Sequence, residues 1–149
     1  MILNGKILCK NIYQNAIERL PLMFKKYPTI AAAYIFGSQV TGKTTNLSDL
    51  DIAVLVKKQI NFNEELKLIG DITDVLETDE FDLVILNTSP PYIQYEVFSK
   101  GQLFYETDRG FRIDFQTMAF QKYFDIKPFY DEYNYYLKKR ILEGRVLSE

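Results

Sequence analysis

Histidine is absent from this 149-residue sequence and cysteine occurs once. Without histidine, acid-base chemistry falls to carboxylates, tyrosine, lysine or a metal-bound group. A metal site would be built from oxygen ligands, which favours magnesium or manganese. The single Cys9 excludes an internal disulfide and a thiolate zinc cluster. No apolar run approaches the roughly 20 residues that span a bilayer, and the N-terminal MILNGKILCKN lacks the long apolar core of a signal peptide. The sequence therefore predicts a cytoplasmic protein with no membrane contact. Neither sign of charge dominates, with 18 Lys and Arg against 20 Asp and Glu and a formal net charge of -2, which disfavours a nucleic-acid partner. No repeat, low-complexity tract or linker divides the chain, and the length predicts one domain over residues 1–149. The composition, 47% hydrophobic and 26% charged, is that of a globular chain with a real core.

What is present is a series of short apolar runs separated by helical patterns. Ile12, Ala16, Leu20 and Met23 recur at helical spacing over residues 11–26, with Pro21 expected to kink or break the helix. TIAAAYIF (29–36) reads as a buried strand, and DLDIAVLV (49–56) as a second. Asn61 and Glu64 form a capping pair before a helix carrying Phe62, Leu66, Ile69, Ile72 and Leu76. FDLVIL (81–86) is a third strand, followed by a helix with Ser89 as its expected cap and Gly101 as its close. QLFYE reads as a short edge strand, and residues 108–142 as an aromatic helical tail with a break at 125–128. Helices and strands in this order predict an α/β (α+β) domain with a small mixed sheet, flanked by helices and ending in a helical tail.

Three aspartates stand where hydrophobic strands begin. Asp49 and Asp51 are two residues apart, so a strand turns both carboxylates to one face. Like charges held side by side repel unless a cation lies between them. If the strands at 49–56 and 81–86 are neighbours, Asp82 joins the pair at roughly 5 Å, a spacing at which carboxylates share divalent metals. Magnesium keeps part of its shell for waters and substrate phosphates, so such a site implies a nucleotide. Gly37 lets the backbone approach a phosphate closely, and Ser38 adds hydroxyl and amide donors. A lone Asp-x-Asp is usually a solvated strand end; the combination of all five residues, each placed at a strand terminus, is what points to chemistry.

The spacing G-S-x10-D-x-D, here Gly37, Ser38, ten residues, Asp49, Leu50 and Asp51, resembles the signature of the DNA polymerase β-like nucleotidyltransferases. The small size and the tail GQLFYETDRGFRIDFQTMAFQKYFDIKPFYDEY are similar to the minimal nucleotidyltransferase (MNT) branch, with its MntA-type antitoxins. The resemblance implies a polymerase β-like fold and transfer of a nucleoside monophosphate from a triphosphate to a hydroxyl. It implies that Asp49 and Asp51 bind magnesium and, through it, ATP, while Gly37 and Ser38 hold the outer phosphates. Asp82 would be the third metal ligand and help remove the acceptor's proton. The implied partner is a HEPN-domain toxin RNase carrying AMP on a tyrosine, bound as a hetero-oligomer.

Two other functions fit the same residues: nucleotidyl transfer to a small hydroxylated molecule such as an aminoglycoside, or an antitoxin that acts by contact alone. The absence of a drug-binding domain speaks against the first, and the intact carboxylates against the second. Lys43 reads as a solvated loop residue, and Lys138, Lys139 and Arg140 as a helix end complementing the dipole. The stretch Tyr123, Asp125, Tyr130, Tyr133, Tyr135 and Tyr136 fits either a partner surface or helix packing.

Overall fold

In a computed structural model, which describes residues 5–37 and 49–144, the two apolar runs become the central strands of a four-stranded sheet. The elements in order are α1 (Gly5–Phe24), β1 (Ile30–Phe36), β2 (Leu50–Val56), α2 (Phe62–Leu76), β3 (Phe81–Ile85), α3 (Pro91–Lys100), β4 (Gln102–Glu106) and α4 (Arg109–Leu142). The sheet order is β3-β2-β1-β4, with β1 antiparallel to both β2 and β4, and β2 parallel to β3. It is the mixed sheet expected, and QLFYE forms one of its two edges.

Both faces of β1 and β2 are covered, which is why these strands are almost continuously apolar rather than alternating. One face, with Ala33, Ile35, Ile52 and Val54, packs on Ala16, Leu20 and Phe24 of α1 and on Leu68, Ile72 and Leu76 of α2. The other, with Ala32, Tyr34, Ala53 and Leu55, packs on Val97 and Phe98 of α3 and Ala119 of α4. A bulge in β1 between Ile30 and Ala32 returns Ile30 to the α1/α2 side. Burying one such side chain contributes on the order of 2 kcal/mol, so the central strands are the stiffest part of the fold.

The capping box forms as expected: Asn61 Oδ1 accepts from the Glu64 N–H at 2.8 Å, and Glu64 Oε1 accepts from the Asn61 N–H at 3.0 Å. Three expectations need correction. Phe62 and Leu66 are 71% and 48% exposed, and the core stripe of α2 is Leu68, Ile72 and Leu76, at clean i, i+4, i+8 spacing. Ser89 does not cap α3; its hydroxyl donates to the Ile85 carbonyl at 2.9 Å, and Pro90 holds the cap position with Pro91 as the first helical residue. Neither Pro21 nor Pro128 ends its helix. Around Pro21, Leu20, Met23 and Phe24 are all buried. Pro128 is bracketed by ring contacts to α3, Tyr123 on Tyr95 before it and Tyr130 on Tyr92 after it, and spanned by the Lys127–Asp131 pair at 2.6 Å. Tertiary contacts on both sides of a proline outweigh its one lost hydrogen bond.

Candidate active site

β2 and β3 run parallel with Asp51 directly opposite Asp82. Residues in register on neighbouring strands point to the same face, and this is the face of Ala53 and Leu55, covered further along by α3 and α4. Asp49, the residue before β2, lies two positions from Asp51 and so shares that side. The ladder thus brings the three aspartates to one end of the sheet. Asp51 is half-buried, while Asp49 and Asp82 are exposed.

The glycine stands against them. Phe36, the last residue of β1, pairs with Asp51, and Gly37 follows with φ of 85°, in the left-handed region that favours glycine. A Cβ at Gly37 would lie 2.3 Å from Asp51 Oδ2, so only glycine leaves room for that carboxylate. Ser38 and Lys43 lie outside the described residues.

Electrostatically, the three aspartates act against one another. Burial pushes the Asp51 carboxyl up, and the neighbouring charges of Asp82 and Asp49 push it further the same way. Among the described residues, no three His, Cys, Asp or Glu side chains close into a cage that could by itself hold an ion. Hard oxygen donors that repel one another are the chemistry a divalent cation takes, and Asp49, Asp51 and Asp82 are the residues here that could hold one.

A second polar cluster on the same sheet face lacked any sequence signal. Glu106, at the end of β4, accepts from Arg112 Nε and, at 3.2 Å, from Arg109 Nε. The Arg112 hydrogen bond holds the Glu106 carboxyl below the usual carboxylate range. The same guanidinium lies beside Tyr34, whose hydroxyl is raised chiefly by burial. The three residues come from β4, α4 and β1, and only the fold brings them together.

Comparison with known proteins agrees with this architecture. The sequence matches the family described as Polymerase beta, Nucleotidyltransferase over residues 18–110. No curated protein sequence matches. Among solved structures, a chain of a toxin-antitoxin complex with AMP-PNP superposes with a TM-score of 0.56 at 22% identity, covering 87% of this chain and 98% of that one. A chain of the MntA-HepT toxin-antitoxin complex gives 0.56 at 21% identity, covering 80% and 97%. A chain from the tri-AMPylated Shewanella oneidensis HEPN toxin in complex with MNT antitoxin gives 0.53 at 20% identity, covering 93% and 99%. At these identities the structural likeness speaks for the fold, and the family match spans more than half of the sequence, from α1 through β4 into the start of α4. On that match, this chain belongs to the polymerase β nucleotidyltransferase family.

Proposed function

We propose that the protein is the antitoxin of a HEPN/MNT pair and acts as a protein adenylyltransferase, moving AMP from ATP to a tyrosine of its cognate HEPN toxin. The observation that carries the chemistry is the Asp51–Asp82 register with Gly37 packed on Asp51: an acidic end of a sheet with a close backbone approach beside it. The observation that favours the acceptor is the set of structural neighbours, toxin-antitoxin complexes of which one contains an ATP analogue and another an AMPylated toxin.

In this reading Asp49 and Asp51 would hold the cation, while Gly37 and Ser38 would accommodate the outer phosphates of the triphosphate. The cation held there would supply neutralisation of phosphate charge for in-line displacement at the α-phosphorus. Asp82, on the neighbouring strand, faces the acceptor. Its carboxylate takes the proton of the tyrosine hydroxyl as the oxygen bonds to phosphorus and pyrophosphate leaves. One tyrosine and one ATP give one O-adenylyl-tyrosine and one pyrophosphate. An AMP group on the toxin adds charge and bulk at the point of attachment. Among the described residues no helix is long and apolar enough to cross a membrane.

The test is co-expression with its cognate HEPN toxin, followed by intact-mass spectrometry and peptide mapping. The expected result is a toxin heavier by one or more AMP groups on tyrosine, unmodified when Asp49 and Asp51 are both Asn. A neutralised toxin of unchanged mass would establish neutralisation by contact instead.

A further inference from the structure

The end of the sheet away from the aspartates holds a cavity of about 560 Å³, a size common among small-molecule sites. Its walls are the turn between α1 and β1, the end of β2 with the residues that follow, and the first turns of α2. The floor is apolar: Ile30, Val56 and Leu68 belong to the α1/α2 core, and Tyr27 and Ile60 pack against it. Four lysines, Lys26, Lys57, Lys58 and Lys67, line it together with one acid, Glu64. That acid is already engaged, since its carboxylate accepts from the Asn61 N–H in the capping box. Lys57 lies 3.9 Å from Asp108, whereas Lys26, Lys58 and Lys67 have no ion-pair partner among the described residues. The walls are fixed by bonds of their own. The Lys57 N–H donates to the Thr29 carbonyl at 2.7 Å, the Lys58 N–H to Thr29 Oγ1 at 3.0 Å, and the Tyr27 hydroxyl to the Asp71 carboxylate. A cavity held in shape this way costs a ligand little ordering.

We propose that this cavity is a second ligand site and that its ligand is a nucleoside phosphate, with the base on the apolar floor and the phosphates among the lysines. Ammonium groups act on phosphate as point charges, and four of them against one engaged acid match a multiply charged anion better than a single carboxylate. The cavity is far larger than a phosphate ion, and its floor favours an apolar body attached to the anion. A nucleobase supplies that body, with a π-face that can lie on the ring of Tyr27. This ligand is not the triphosphate of the proposed reaction. Asp51 and Val56 stand about 17 Å apart along β2 and face opposite sides of the sheet, Asp51 toward α3 and α4 and Val56 toward α1 and α2.

Calorimetric titration of the full chain with ADP in chelator tests this, because the aspartates then have no cation through which to hold a phosphate. The expected dissociation constant is below about 1 mM, and about tenfold or more tighter than for adenosine or inorganic pyrophosphate, each of which supplies half of the contacts. Binding should persist in Asp49→Asn with Asp51→Asn and weaken about tenfold or more in Lys58→Ala with Lys67→Ala. Both lysines are exposed, so the lysine variant should melt like the parent. Absence of saturable ADP binding overturns the proposal. So does binding that the lysine variant retains in full, or pyrophosphate held as tightly as ADP. None of these results bears on adenylyl transfer, which is read by toxin mass.

Discussion

Asp51 and Glu106 are carboxylates on the same face of one sheet, and their surroundings treat them in opposite ways. Glu106 has two arginines and a carboxyl held below its ordinary range. Asp51 has burial and two further aspartates, and its carboxyl is pushed up. The first arrangement is what folding stability selects, since a carboxylate taken partly out of water is matched by charge-assisted hydrogen bonds. The second works against stability and persists where something absent from the free chain completes it. The contrast separates a structural acid from one poised for a ligand.

The sharpest way to break the contrast is to neutralise Asp51. On the proposed function, Asp51→Asn should lower adenylyl transfer by about three orders of magnitude or more, since it removes one of the charges that would hold the cation, while stability in chelator stays equal or rises. Transfer assays and thermal melts read the two effects separately. Gly37→Ala should come next. It forces a Cβ into the Asp51 carboxylate and a side chain into positive φ, costing about 1–3 kcal/mol of stability together with most of the activity. Urea titration and ATP binding measure these.

Arg112→Ala attacks the satisfied acid. It should destabilise by about 2 kcal/mol, because Glu106 and Tyr34 lose their shared charged neighbour, with little change in ATP affinity. Magnesium, by contrast, should raise the melting temperature of the parent chain and leave Asp51→Asn unmoved, by an amount set by mass action on the folded state.

The smallest effect is in pH dependence, where the two acids differ in sign. The Asp51 carboxyl is raised, so the folded chain keeps its proton after the unfolded chain has lost it. Its contribution is greatest below the ordinary aspartate pKa and is lost as pH rises through the higher folded value. The stability advantage of Asp51→Asn should therefore grow as pH rises from the ordinary aspartate pKa through the higher folded value. The Glu106 carboxyl is lowered, so its contribution is complete above the ordinary glutamate pKa and is lost as pH falls through the folded value. The deficit of Glu106→Gln should shrink on acidification. Parallel slopes for the two variants would remove the distinction.

The acidic site was legible in sequence and the satisfied acid was not, for a physical reason. Asp49, Asp51 and Asp82 each open a strand, and strand periodicity gives their facing without knowledge of the fold; only the adjacency of β2 and β3 had to be supposed. Gly37 could be flagged as backbone room, but its contact with Asp51 depends on β1 pairing with β2. Glu106, Arg112 and Tyr34 meet through three elements, and no local pattern announces such a meeting. The capping box was readable because it is made within four residues. Phe62 and Leu66 misled because apolar spacing alone does not say which side of a helix meets the core. Pro21 and Pro128 misled because a local penalty was weighed without the packing that opposes it. The aromatic tail divides: Tyr123 and Tyr130 pack on α3, whereas Tyr133, Tyr135 and Tyr136 do not enter the core.

The matched register of β2 and β3 also sets which insertions and deletions the gene can tolerate. Ladder hydrogen bonds, not chain length, align Asp51 with Asp82, so residues gained or lost in the turns on either side of α2 leave the acids together. A single residue added to β3 between Phe81 and Asp82 would turn Asp82 toward Leu68 and Ile72, placing an acid in the apolar core. Length variation among natural variants should therefore collect at residues 57–61 and 77–80 and be missing from the strands.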